Sequence, residues 1–321
     1  MTENNPISRP KAFFLNGGMG RIICAIPALE KYYNESNDKD FIIVIEGIQN
    51  ILDGHPTLDS KTFDYGHKNL FHTKLVKMDV ISLEPYRVWE YYTQKCSLAQ
   101  AYDIAINNKG IRELQKPTIR LSKDELLYAR KMLTEVKEKC KKDKIIVIQP
   151  FGRGVRKEDK DVVDITGRSM ETKNLYNIVR KLSKKYAVMI MTETPLEFNK
   201  HMSSPVATPQ NVHIRIWMAV IRQCDHFVGC DSVGAHMAYT FDTTTTSIIG
   251  STFPINTSFP DYEKFDVIDL GKEDRVYSPI RITVDEFSDR INEGIMEMND
   301  QQEQQVIASV NRMIKHGKNT R

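Results

Sequence analysis

Residues 227–254 read FVGCDSVGAHMAYTFDTTTTSIIGSTFP. An apolar run reaches Gly229. Asp231 and Ser232 follow at once, then Gly234, His236 and an apolar helical stretch from Met237. After a run of threonines, the apolar segment 247–249 closes on Gly250, Ser251, Thr252 and Pro254. The order is strand, polar turn, helix, strand, polar turn. A helix N-terminus with small residues and free backbone N–H groups attracts anions, because those amides and the helix dipole both point at the ligand. The Asp–Ser turn adds a carboxylate and a hydroxyl, so the unit suits a ligand that carries phosphate and sugar hydroxyls together.

Outward from this stretch, the chain alternates in the same way. A helix over 214–223 leads into it. Before that helix, strand 144–149 opens into the turn Gln149-Pro150-Phe151-Gly152-Arg153-Gly154, a charged loop covers 155–164, a helix covers about 171–186, and strand 187–191 ends at Thr192-Glu193-Thr194. Segment 283–313 reads as one or two polar helices. Near the N-terminus, strand 12–15, turn Asn16-Gly17-Gly18-Met19-Gly20, a helix from 21 or 22 to about 33, and strand 41–45 ending at Glu46-Gly47 repeat the pattern. Segment 48–80 is less regular, 85–100 reads as an aromatic-rich helix and 102–107 as a short strand. Ser122 with Glu125 three residues later forms a capping box opening a charged helix over 122–142. Buried strands alternating with helices predict parallel sheets.

The chain has 321 residues, enough for about two cores. We therefore divide it into 1–121, a helical linker 122–143, 144–282 and terminal helices 283–321 that pack back toward the first domain. No stretch is apolar and long enough to span a bilayer, and the first residues lack an apolar signal core, so a cytoplasmic location is expected. Five cysteines with no Cys-x-x-Cys spacing argue against a disulfide framework or a structural metal. A formal net charge of +3 permits a polyanionic partner without demanding one.

The ordered matches Gly229, Asp231, Ser232, His236, Ala238, Gly250, Thr252 and Pro254 resemble the nucleotide-sugar motif of family 9 glycosyltransferases, the lipopolysaccharide heptosyltransferases. Met19, Gly20, Pro27, Ala28 and Leu29 match the first turn and helix of that family. Val233 stands where the family has glycine, and Gly234 follows one place later. The resemblance implies a GT-B fold, α/β, with two Rossmann-like domains facing across a cleft, the acceptor held by the first and the nucleotide sugar by the second. It also implies donor contacts at Gly18, Gly20, Gly152, Arg153, Arg168, Glu193, Asp231, Ser232, Val233, Gly234 and His236, Arg168 standing where the family has a phosphate-contacting lysine.

Arg21 occupies the family's catalytic aspartate position. A guanidinium is protonated at any relevant pH and cannot serve as a base, but it can hold a phosphate or an acceptor. Glu46 and Asp103, each on or beside a predicted strand, are the substitute bases. Lys68, Lys74, Lys77 and Arg87 are interleaved with aromatic residues, a pattern that neutralises phosphates and stacks on exposed bases. A solvated basic face beside an ordinary aromatic core gives the same pattern. The whole chain is similar to family-9-like proteins of T-even-type and related phages, with Gly17-Gly18-Met19-Gly20-Arg21 in the first turn and Gln94-Lys95-Cys96 further on. That resemblance implies a UDP-linked or other nucleotide-sugar donor, no cofactor or metal, host cytoplasm as the setting, and a hydroxymethylated or already glycosylated DNA base as acceptor. The alternatives are a lipopolysaccharide or other glycan acceptor, and a catalytically inactive GT-B binding module.

Overall fold

The structure, a computed structural model, describes residues 9–47, 49–152, 154–158, 161–164, 166–198, 202, 204–276 and 292–316. They form two compact units. One comprises the described residues up to Tyr91 with Leu98–Arg120, the other Tyr92–Ser97 with the described residues from Leu121 onward.

The first unit is built on β1 (Lys11–Leu15), α1 (Met19–Glu35), β2 (Ile42–Ile45), β3 (Thr62–Asp64) and β4 (Asp79–Ser82). The four strands are parallel, in the order β3-β2-β1-β4. β2 is buried throughout, as its run IIVI requires of a strand covered on both faces. α1 buries Ile22, Ile23, Ile26 and Leu29, each contributing roughly 1.5–3 kcal/mol by leaving water.

Two expectations fail here. Segment 102–107 is not a strand but the end of α3 (Leu98–Asn107), since Leu98, Ala101, Tyr102 and Ile106 recur at helical spacing and face inward. Segment 85–100 is not one helix either. A 3-10 turn (Pro85–Arg87) and the four-residue α2 (Trp89–Tyr92) precede Gln94, whose φ of 59° breaks the helical path before α3 begins.

The second unit contains α4 (Lys123–Cys140), β5 (Ile145–Gln149), the antiparallel hairpin β6 (Val155–Glu158) and β7 (Asp161–Asp164), α5 (Thr172–Leu182), β8 (Ala187–Ile190) and β9 (Val206–Ala207). α6 (Ile214–Gln223), β10 (His226–Cys230), α7 (Val233–Thr240), β11 (Thr245–Ile249), α8 (Pro254–Thr257), β12 (Phe265–Asp269) and α9 (Asp300–His316) complete it. Its six-stranded parallel sheet runs β12-β11-β10-β5-β8-β9. The charged loop expected over 155–164 is this hairpin, and the threonine run supplies the first half of β11. There Thr246 and His226 form a buried chain with Ser309.

The Ser122–Glu125 capping box is complete, each side chain bonding the other residue's backbone N–H, and contributes about 1 kcal/mol. Helix α4, set apart as a linker in the sequence, belongs to the second unit and is tied to α6 by the Glu125–Arg215 ion pair. Apolar residues of α5 and α9 share one core with alternate residues of the central strands, among them Ile146, Ile148, Val228 and Ile248. The terminal helix α9 packs on the sheet of the second unit, where Glu303 accepts from Asn174, Asn177 and Lys181, and residues 283–291 of the expected terminal helices lie outside the described residues. Among the described residues no helix is long and apolar enough to cross a membrane.

Candidate functional site

In the second sheet the chain leaves β5 toward β8 and β9, then returns to the other side of β5 to lay down β10. This reversal opens a crevice at the C-terminal ends of β5 and β10, the place where doubly wound sheets bind ligands. Gln149 ends β5 and Gly152 follows it, and Asp231 and Ser232 follow β10. A third segment, 164–169, joins them. The Asp164 carboxylate accepts from the backbone and hydroxyl of both Thr166 and Ser169. Burial pushes its pKa up, but those hydrogen bonds and the Arg168 charge outweigh burial and hold it below the usual range. Ser169 Oγ in turn accepts from the Gly152 N–H at 2.9 Å. Arg168 is thereby presented to the crevice, its Nη1 3.8 Å from Asp231 Oδ2.

Ser232 is the N-cap of α7, which starts at Val233 rather than at Met237, but its hydroxyl does not cap the helix. Instead Gln149 bridges the two turns, its amide donating to Ser232 Oγ at 2.9 Å and accepting from the Gly234 N–H at 2.8 Å. One amide of the expected anion site is therefore taken by a side chain. This bridge also explains the displaced glycine. A Cβ at 234 would overlap the Gln149 amide oxygen and the Phe227 ring, so glycine is demanded by packing there. His236 is buried against Phe259, ring centroids 5.7 Å apart. Burial lowers its pKa, partly opposed by the Asp231 charge, so it sits in the crevice wall as a neutral imidazole. After β11, Ser251 is held by the Thr166 and Gly167 carbonyls, while the buried Thr252 hydroxyl has no partner among the described residues. Glu193 is exposed on the loop after β8, across β5 from β10, and Arg153 lies outside the described residues.

The first sheet has the same kind of reversal between β1 and β4. Gly17, at φ 93°, turns the chain out of β1 in a conformation open to glycine. Gly18 is the N-cap of α1, and Gly20 lies in its first turn. Arg21, one residue on, is 4% exposed. Its Nε donates to the Tyr102 hydroxyl at 3.0 Å and its Nη2 to the Leu83 carbonyl at 3.2 Å and to Glu84 Oε1 at 3.3 Å. The guanidinium lies over the Tyr86 ring, 5.0 Å from its centroid. Burial alone would lower its pKa, but Tyr102, Tyr86 and Glu84 reverse the shift, which keeps the charge in place.

The two substitute bases are not brought to this crevice. Asp103, on α3, is 1% exposed and paired with the Arg112 guanidinium, and Asn107 donates to it at 2.7 Å. With its oxygens engaged and no strand beneath it, Asp103 does structural work. Glu46 is exposed beyond β2, one strand from the reversal. Sequence reasoning missed Glu84, which lies 63 residues from Arg21 in an irregular segment, and Asp164, hidden in a segment read as loop. Gln149 was visible as the polar end of an apolar strand.

Lys68, Lys74, Lys77 and Arg87 are all exposed. Lys74 lies 4.8 Å from the centroid of the Phe63 ring, and Phe71, 54% exposed, meets Tyr65 edge-on at 5.7 Å. Among the described residues no group of three or more His, Cys, Asp or Glu side chains is placed to hold a metal ion.

No family model matches the sequence, and no curated protein matches it. Solved structures do. A family 9 glycosyl transferase from Veillonella parvula is similar over 96% of this chain and 98% of its own, with a TM-score of 0.68 at 13% identity. The Escherichia coli ADP-heptose lipopolysaccharide heptosyltransferase II is similar over 96% and 99%, with a TM-score of 0.57 at 11% identity. The iron-containing dodecameric glycosyltransferase TibC of enterotoxigenic E. coli is similar over 95% and 77%, with a TM-score of 0.59 at 13% identity; that protein is also known in complex with ADP-D-beta-D-heptose. The fold of this chain is α/β and of the GT-B type.

Proposed function

We propose that this chain is a glycosyltransferase that moves a sugar from a nucleotide-sugar donor to an acceptor hydroxyl. The observation that carries the proposal is the convergence of Gly152, Arg168, Asp231 and Ser232 at the strand reversal of the second sheet. A cation beside a carboxylate and a hydroxyl matches a ligand that is part diphosphate and part polyol. Arg168 offsets the charge that gathers on the departing diphosphate, the largest single contribution an electrostatic site makes to such a reaction. Asp231 and Ser232 hydrogen-bond hydroxyls, and Thr252 offers a buried hydroxyl in need of a partner. A UDP-linked sugar is the donor we favour, with the charge handled by the chain's own cations.

The acceptor we favour is DNA bearing a hydroxymethylated or already glycosylated base, in a phage setting. Exposed Lys68, Lys74, Lys77 and Arg87 beside exposed Tyr65, Phe71 and Trp89 support it, since such surfaces bind phosphates and stack on unpaired bases. A lipopolysaccharide acceptor is the second reading, favoured by the similarity to a lipopolysaccharide heptosyltransferase. The test is to incubate the purified protein with UDP-glucose or ADP-heptose and with hydroxymethylcytosine DNA or a lipopolysaccharide core, then read product masses. Sugar on the nucleoside supports the first reading. Sugar on the glycan alone transfers the proposal to the second, and neither product leaves only a binding module.

A further inference from the structure

We infer that Glu84 is the general base of the transfer reaction and that Arg21 positions it; the inference rests on the glycosyltransferase reading above. Among the described residues of the first unit three other carboxylates compete for the role. Asp64 accepts the Gly47 and Gly66 amides and shapes its turn. Glu46 stands beyond β2, away from the reversal, and Asp103 is closed in its pair with Arg112. Glu84 alone of the four follows β4 directly at the reversal, where Leu83 N–H still bonds Phe14 O across to β1. It is 26% exposed, half open to solvent.

Its geometry is set from both sides. Pro85, buried, restricts the backbone of the residue before it to extended forms, and Glu84 has φ −128° and ψ 82°. Arg21 Nη2 holds Oε1 at 3.3 Å, which leaves Oε2 for a hydroxyl. A guanidinium serving only as one half of a structural pair would have its nitrogens satisfied. Arg21 Nη1 is buried and has no partner among the described residues, a condition that costs about 1–3 kcal/mol in a folded protein. A buried, unpaired donor next to a half-open carboxylate marks a place for a ligand that offers one acceptor atom to Nη1 and one hydroxyl to Oε2. An acceptor alcohol with a neighbouring carbonyl, ring nitrogen or ether oxygen has that chemistry.

In the step itself, the acceptor oxygen forms a bond to the anomeric carbon of the donor sugar. The bond from that carbon to the diphosphate oxygen breaks, and the nucleoside diphosphate leaves with the electron pair. The hydroxyl proton passes to Glu84 Oε2, which thereby becomes neutral beside Arg21.

The test uses the full chain and UDP-glucose or ADP-heptose with hydroxymethylcytosine DNA or a lipopolysaccharide core, whichever pair the wild type converts. Glu84→Gln should lower kcat by about 10²–10⁴-fold, the range a positioned base supplies, with donor affinity by calorimetry within twofold. The acid limb of the wild-type pH–rate profile should vanish in that variant. Glu84→Asp should keep part of the activity. Arg21→Lys should recover part of the kcat that Arg21→Ala loses, with donor affinity unchanged, a rescue that loss of fold would not produce. Wild-type conversion retained in Glu84→Gln with its acid limb intact overturns this assignment and leaves the glycosyltransferase reading standing. No conversion of any pair by the wild type overturns both.

Discussion

Both sheets open a crevice by the same reversal, β1 to β4 in the first unit and β5 to β10 in the second, yet the two crevices are finished differently. The second is lined by side chains that mostly satisfy one another, the buried Thr252 hydroxyl excepted. Gln149 ties Ser232 to Gly234, and Asp164 ties Ser169 to Gly152. The first is left incomplete, with one guanidinium nitrogen unpaired and a carboxylate half open. A pre-organised crevice suits a ligand that is anionic throughout the reaction, as a diphosphate is. An incomplete one suits a group that must gain or lose a proton during reaction. The same topology thus supports two kinds of chemistry, and the side chains at the strand ends decide which.

The largest effect that would sharpen this contrast is at Arg168. Arg168→Ala should lower transfer by about 10²–10³-fold, the cost of one charge-stabilising group, while melting temperature changes little. Normal turnover in that variant would remove the anion role from the second crevice. Acidification should come next. His226 is fully buried between the hydroxyls of Thr244 and Thr246, and burial lowers its pKa to about 3; His236 is lowered in the same direction. Both bind protons more weakly folded than unfolded, so the unfolded state gains protons first. Stability should be full above about pH 6.5 and fall as pH drops toward 3, by roughly 1.4 kcal/mol per unit from His226 alone. Urea midpoints across that range should decline less steeply in His226→Gln.

Glycine replacements compare the crevices directly. Gly234→Ala should cost about 1–3 kcal/mol, since the added methyl meets Gln149 and Phe227. Gly18→Ala meets nothing within 4 Å and should cost less, up to about 1 kcal/mol, from the weaker N-cap preference of alanine. Equal costs in chemical denaturation would break the claim that only the second crevice is closely packed. The smallest effect is expected from Lys68, Lys74 and Lys77 together. Their replacement by alanine should weaken binding of duplex DNA about tenfold and reduce the salt slope by up to about three, with donor affinity unchanged. An unaltered slope would take the DNA contact away from this surface.

Legibility differed between the crevices for a physical reason. In the second, the residues that meet are turn residues directly after apolar strands, so Gly152, Asp231 and Ser232 could be placed from periodicity and spacing. The exception is instructive. Gly234 looked like a displaced ligand glycine, but the approach of Gln149, 85 residues earlier, is what requires it. In the first, segment 102–107 carries apolar residues that satisfy a strand pattern over a short window, and only the longer run from Leu98 shows the helical period. Asp103 was misplaced with it.

Local patterns alone determined the alternation of buried strands and helices, the capping box at Ser122, the turns that end β5 and β10, and the α/β class of the fold. These depend on side-chain periodicity and turn chemistry within a few residues, which a linear reading contains. Tertiary structure alone decided that Glu84 meets Arg21, that Asp103 is closed by Arg112, that Asp164 organises the Arg168 segment, and that α9 packs on the second sheet. Those contacts join strand ends and helices brought together by sheet order, and hydrogen bonding over such separations leaves no period in the sequence.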